Sequence, residues 1–128
     1  MGRIVNGQTL IWGAFDGDKL VGMITGECNG GYWNNAVKSK GLTCFINEFV
    51  VDPDYRGKNI GGNLCKMTID PVHGVWPQMP NVIAMYTTVH EDNIGSYTAF
   101  VKGGYTETIT YADALRKRNT TVLHAPKP

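Results

Sequence analysis

Between Val50 and Gly62 the chain reads Val-Val-Asp-Pro-Asp-Tyr-Arg-Gly-Lys-Asn-Ile-Gly-Gly, and this stretch leaves the backbone few choices. The apolar, β-branched run at residues 42–51 must stop at Asp52-Pro53, because proline cannot donate to a central ladder. From Asn59 the apolar positions Ile60, Leu64 and Met67 take helical spacing and run out near Asp70-Pro71, which predicts a helix. A buried central strand therefore breaks through a glycine-rich, basic turn into a helix. Such a turn aims consecutive backbone N–H groups from the helix N-terminus, here with Arg56 and Lys58 beside them. Donors and positive charge together suit a phosphate or pyrophosphate, so a nucleotide-bearing ligand is the first expectation.

The rest of the chain supplies a frame for that turn. Residues 72–81, with Gly74, Pro77 and Pro80, read as an irregular crossover to another apolar strand at 82–89, and strand–helix–strand implies parallel pairing. Upstream, residues 9–15 and 20–27 flank Asp16-Gly17-Asp18-Lys19 and read as a β-hairpin. Residues 28–41 hold many turn formers and read as an exposed loop; Tyr32 and Trp33 within it either cover a ligand or fold back to cap the core. Downstream, Asp92 or Asn93 caps a second helix carrying Ile94, Tyr97, Phe100 and Val101, with Gly103-Gly104 as its stop. Strands are expected again at 105–111 and 120–124, joined by a solvated turn or short helix at 112–119 that contains Arg116-Lys117-Arg118. The fold class is α+β with a mixed sheet: an antiparallel meander, a splayed parallel β-α-β unit, then a C-terminal antiparallel hairpin.

Composition bounds the partners. With 128 residues, 42% hydrophobic and 18% charged, the chain fits one domain over residues 1–128. A net charge of +1 argues against a nucleic-acid surface, so the basic residues near Arg56 count by position rather than by total. Cys28, Cys44 and Cys65 form no C-x-x-C pair, and their odd number argues for reduced thiols rather than a disulfide framework. No metal site is expected. Neither a charged-then-apolar leader nor a membrane-length apolar run is present in the sequence, so the expected location is cytoplasmic, with no membrane partner.

A glycine-rich turn alone is a weak signal, and the better-known nucleotide motifs do not fit. There is no G-x-x-x-x-G-K-[ST] segment, and the turn follows a meander instead of opening a first βα unit as G-x-G-x-x-G would. Specificity comes from a second segment, Asn93-Ile94-Gly95-Ser96-Tyr97-Thr98-Ala99-Phe100-Val101-Lys102-Gly103-Gly104-Tyr105. Together the two segments resemble the GCN5-related N-acetyltransferase (GNAT) family. The family's Val-x-Pro-x-Tyr-Arg-Gly-x-Gly-x-Gly motif is matched at Val51, Pro53, Tyr55, Arg56, Gly57 and Gly61. Asn59 stands where the family usually has glycine, a mild exchange because asparagine tolerates left-handed backbone. The family's Asn-x-x-Ser/Ala helix ending in Gly-Phe/Tyr is matched at Asn93, Ser96, Gly104 and Tyr105.

The resemblance implies acetyl-CoA as co-substrate and direct acetyl transfer to a primary amine, either a small amine or a protein amino group. It places the pyrophosphate on Arg56, Gly57, Lys58, Asn59, Ile60, Gly61 and Gly62, and pantetheine along Phe49, Val50 and Val51, with Asn93, Ser96 and Phe100 on the opposite side. For the general base, the nearest carboxylate is Glu48, on the strand leading to the turn. Many family members carry an acid one position earlier, at Asn47 here, and strand alternation lets only one of the two face the acceptor; if Glu48 faces the helices instead, it is a partnered structural acid. Glu27 and His90 stand in reserve. Family members often place a proton-donating tyrosine where this chain has Phe100, which leaves Tyr97 as substitute or an unassisted thiolate. Relative to the family, the usual N-terminal strand and two helices that wall the acceptor site are missing, so a homo-oligomer, most simply a dimer, is expected to complete it. These departures also leave open a non-catalytic acyl-CoA-binding or regulatory protein.

Overall fold

The structure, a computed structural model, describes residues 8–28, 42–113 and 118–128. Six strands form one sheet: β1 (Gln8–Asp16), β2 (Lys19–Cys28), β3 (Leu42–Val51), β4 (Val82–His90), β5 (Thr106–Asp113) and β6 (Arg118–Pro126), in the order β1-β2-β3-β4-β6-β5. Only β3 and β4 pair in parallel; every other neighbour is antiparallel. This is the expected mixed sheet. The helices are α1 (Ile60–Thr68), the short α2 (Val75–Gln78) and α3 (Ile94–Lys102).

Register explains where the core sits. Trp12 lies opposite Ile24, Ile24 opposite Phe49, Cys44 opposite Met85, and Met85 opposite Ala125, so apolar side chains line one face of the sheet. α1 contributes Leu64 and Cys65 and α3 contributes Phe100 to the same cluster. Burying each such large side chain is worth about 1.5–3 kcal/mol, which holds both helices on that face and leaves the opposite face free of helices among the described residues. Burial pushes the Cys65 thiol up to about 12, as expected for a thiol used as a small hydrophobe.

The parallel ladder is short. It pairs Leu42 with Val82 through Phe45 with Tyr86 and goes no further. Beyond it β3 keeps its bonds to β2 as far as Val51, and β4 keeps its bonds to β6 as far as His90. At the parting point a buried side-chain hydroxyl takes the place of backbone pairing: Thr87 Oγ1 donates to the Ile46 carbonyl at 3.4 Å.

Three expectations need correction. The crossover contains a helical turn, α2, because Pro77 falls within its first turn, where a missing N–H costs nothing; Trp76 is buried there and donates to the Ile69 carbonyl. The segment at 112–119 is not one linker, since β5 runs to Asp113 and β6 resumes at Arg118; residues 114–117, with Arg116 and Lys117, lie outside the described residues. The thiols are not all reduced: Cys28 and Cys44 face each other across β2 and β3 and are disulfide-bonded, which leaves Cys65 free. Their spacing in sequence carried no sign of this pairing, which strand register creates. Tyr32 and Trp33 also lie outside the described residues.

α1 and α3 meet closely at the end of α3. A Cβ on Gly103 would stand 2.6 Å from Cys65 Cβ and 2.8 Å from the Lys66 backbone nitrogen. Gly103→Ala should therefore push the helices apart and destabilise the protein by about 1–3 kcal/mol. Urea unfolding checks this, and an unchanged midpoint would contradict it.

Candidate functional site

The basic turn is built by its own local chemistry. Asp52 ends β3 with its N–H on the Val21 carbonyl at 2.8 Å, and its carboxylate accepts from Asp54 N at 2.9 Å. Pro53–Tyr55 make one 3-10 turn. Gly57 at φ +81° and Asn59 at φ +61° then take left-handed backbone on either side of Lys58, reversing the chain into α1. No side chain caps α1, so its first-turn N–H groups keep their donors for something else. Gly61 is closely packed: a Cβ there would meet Phe49 Cζ at 3.1 Å and Ala99 Cβ at 3.5 Å. At Gly62 the same atom would strike Asn59 Oδ1 at 2.5 Å.

These groups open on a cleft of about 570 Å³. One wall is the end of β3 with the turn and the first turn of α1; the other is the side of α3 carrying Asn93, Ser96, Ala99 and Lys102. Asn93 serves twice, lining the cleft and capping α3 through its Oδ1, which accepts from Ser96 N at 3.3 Å. Among the described lining residues only Arg56 and Lys102 are ionised, and both are positive. The cleft is thus an anion-favouring slot with apolar walls.

Of the residues singled out from sequence, Phe49, Val50, Val51, Arg56, Gly57 and Asn59 line the cleft, as do Ile60, Gly61, Gly62, Asn93 and Ser96. Lys58, Phe100, Tyr97 and Glu48 do not. The Lys58 ammonium sits 5.2 Å from the Tyr55 ring centroid, and Lys19 sits 5.1 Å from the same ring. The Tyr55 hydroxyl donates to Asp16 at 2.6 Å, a bond that raises its pKa above the ordinary value. Phe100 is buried between Phe49 and Tyr105, at 5.3 and 5.1 Å between ring centroids. Tyr97 is half-buried against the core. Lys102 escaped the sequence reading; it follows Ala99 by about one turn at the end of α3, and its place in the cleft comes from the packing of the helices.

Glu48 lies across the sheet from the helices. Thr25 pairs with Glu48 but Gly26 pairs with Ile46, so Asn47 is an extra residue in a β-bulge. A bulge breaks the alternation of faces, and Asn47 and Glu48 are both exposed, so alternation by itself does not set the two side chains on opposite faces. Asn47 Nδ2 donates to Glu27 Oε1 at 3.0 Å, and Glu48 N donates to Thr25 Oγ1 at 3.1 Å. His90 ends β4 with its Nδ1 3.1 Å from Thr120 Oγ1. No cluster of metal-ligating side chains occurs among the described residues, and no described helix is long and apolar enough to cross a membrane.

The sequence matches the profile of the acetyltransferase (GNAT) family over residues 3–105. The chain belongs to this family. Solved structures agree in fold with this GNAT chain. A structure described as a streptothricin acetyltransferase from Bacillus anthracis, in complex with acetyl coenzyme A, has a TM-score of 0.70 at 16% identity, covering 95% of this chain and 65% of that one. Arabidopsis thaliana NAA60 in complex with acetyl-CoA has a TM-score of 0.72 at 14% identity, covering 94% and 77%. A chimera of the Vibrio cholerae spermidine N-acetyltransferase SpeG with hSSAT has a TM-score of 0.65 at 13% identity, covering 93% and 67%. This GNAT chain thus spans just under two thirds of the length of the Bacillus protein. No curated protein matches it significantly.

The left-handed position at residue 59 is testable without any ligand. Asn59→Ala should destabilise the protein by about 1–2 kcal/mol, while Asn59→Gly should be neutral or mildly stabilising. Equal thermal stability of the two variants would show that the turn does not depend on that conformation.

Proposed function

We propose that the cleft holds acetyl-CoA and that the protein transfers its acetyl group directly to a primary amine. The observation that carries this reading is the uncapped N-terminus of α1, set beside Arg56 and facing a cleft whose floor is the stretch of β3 that has lost β4. Pyrophosphate oxygens accept from the first-turn N–H groups, strengthened by the helix dipole, and glycine at 61 and 62 keeps side chains out of their way. Pantetheine amides pair with the free edge of Phe49–Val51 as an added strand would. The thioester then lies where β3 and β4 part, and a backbone N–H near Val50 or Val51 polarises its carbonyl.

The acceptor comes from the helix-free face. There Glu48, exposed on the bulge, takes a proton from the ammonium form, directly or through one water. The neutral nitrogen attacks the carbonyl carbon and forms the C–N bond; the nitrogen of the tetrahedral intermediate gives up its surplus proton to solvent as the C–S bond breaks, and the leaving thiolate takes a proton from solvent or from Tyr97. Glu27 and His90 are the alternative bases. That neighbours of the same fold are named for acetylating streptothricin and spermidine supports an amine acceptor. Self-association, supported by the outermost position of β1 among the described strands and the exposure of Phe15 and Leu20, would complete the acceptor side; a monomeric mass in solution would exclude it. A second reading, an acyl-CoA-binding protein without turnover, is favoured by the burial of Phe100 and the placement of Tyr97 outside the cleft.

Calorimetry with acetyl-CoA and thiol release across an amine panel separate the two readings. Binding with turnover is the expected result; binding alone favours the second, and no binding refutes both. Arg56→Ala should weaken acetyl-CoA by about 2 kcal/mol, the worth of a charge-assisted contact. Glu48→Gln should lower turnover at neutral pH while affinity stays constant, and full activity in that variant would remove Glu48 from the base role.

A further inference from the structure

We propose that Asn47 is a positioning residue that holds Glu27, and that Glu27 anchors the acceptor's ammonium group while Glu48 takes its proton. This rests on the reading of the protein as an acetyltransferase for a primary amine. Strand pairing brings both acids to the helix-free side of β2 and β3. Glu27 pairs with Phe45, and Glu48 pairs with Thr25, so the two positions are offset by two residues along β2, about 7 Å on one face of a strand. Phe45 is also the last residue of β3 that pairs with β4. Glu27 is therefore level with the point where the strands part, and Glu48 lies further out along the wedge.

The two carboxylates are held differently. Asn47 is the extra residue of the bulge, and its Nδ2 donates to Glu27 Oε1 at 3.0 Å. The main chain under Glu27 is fixed from its other side, since the next residue, Cys28, is disulfide-bonded to Cys44. The bond from Glu48 to Thr25 Oγ1 comes from the backbone N–H, so it secures the main chain of the bulge and not the carboxylate. Glu27 is half-buried and Glu48 exposed. An amide donor orients a carboxylate without neutralising it, and a group already oriented loses little freedom when a cation arrives. Glu27 is thus built to bind a charge, and Glu48 is left to accept the proton. An acid at residue 47, as in many members of the family, would set two like charges against each other at this contact; the amide is what lets Glu27 occupy it.

The test uses wild type, Asn47→Ala, Asn47→Gln, Glu27→Gln and the variant carrying both Asn47→Ala and Glu27→Gln. Thiol release from acetyl-CoA is followed with an alkylamine, charged at neutral pH, and with an arylamine, which is neutral there; acetyl-CoA affinity by calorimetry and the melting temperature are measured on each protein. Glu27→Gln should raise KM for the alkylamine about tenfold, as loss of a charge-assisted contact does, with kcat, the arylamine KM and acetyl-CoA affinity little changed. Asn47→Ala should shift the same constant in the same direction by a smaller factor, and Asn47→Gln should recover part of it. Because Asn47 acts through Glu27, the double variant should be no worse than Glu27→Gln alone. If Glu27→Gln lowers kcat and leaves KM unchanged, Glu27 is a base and the inference falls. If the KM values of both amines rise together, or the two substitutions add, Asn47 has a structural role only, and the inference falls while the acetyl-transfer reading stands. If wild type releases no thiol with any amine, both fall.

Discussion

The cleft exists because β3 and β4 stop pairing after Phe45 and Tyr86. A parallel ladder that continued would satisfy both strand edges and leave no place for an added one. Here each strand keeps its antiparallel partner on the far side, so the sheet stays intact while a wedge opens at its centre. The Thr87 hydroxyl on the Ile46 carbonyl closes the wedge's apex. The chain then leaves β3 at Asp52-Pro53, at the wide end of the wedge, which is why the basic turn and the first turn of α1 arrive at its rim.

Small residues let the two helices share that rim. Gly61 sits closely against Phe49 and Ala99, and Gly103 sits against Cys65 with no space for a side chain. Close packing of α1 on α3 brings the uncapped N-terminus of one beside the polar face of the other. The aromatic stack Phe49–Phe100–Tyr105 lies beneath, and the Tyr105 hydroxyl is anchored 2.7 Å from Thr68 Oγ1. Complete burial raises the Tyr105 pKa well above its ordinary value, so the stack stays uncharged. Phe100 is part of this core, its ring packed edge-on against Phe49 and Tyr105.

Much of the fold was legible along the chain because the signals were local. Proline ended β3, asparagine and glycine supplied left-handed backbone at residues 59 and 57, and Asn93 capped α3. What was not legible depends on register. Nothing in the run Ile46-Asn47-Glu48 marks a bulge; it follows from how β2 pairs on either side of Asn47, and it decides which side chains reach the helix-free face. The same holds for Cys28 and Cys44, which strand pairing brings together across 16 residues. Lys58 and Lys102 are the third case. Each has a glycine beside it in sequence, and only the position of Tyr55 draws one away from the cleft while the packing of α3 brings the other to it.

By itself the sequence determined the order of elements, the family and the turn from Val50 to Gly62, because proline, glycine and asparagine act on the backbone within a few residues of themselves. The tertiary structure alone decided which charges face the cleft, which acids share the open face and which cysteines bond. Those outcomes depend on contacts between segments far apart in the chain, where a shift of one residue in strand register or a quarter turn of a helix moves a side chain from one environment to another.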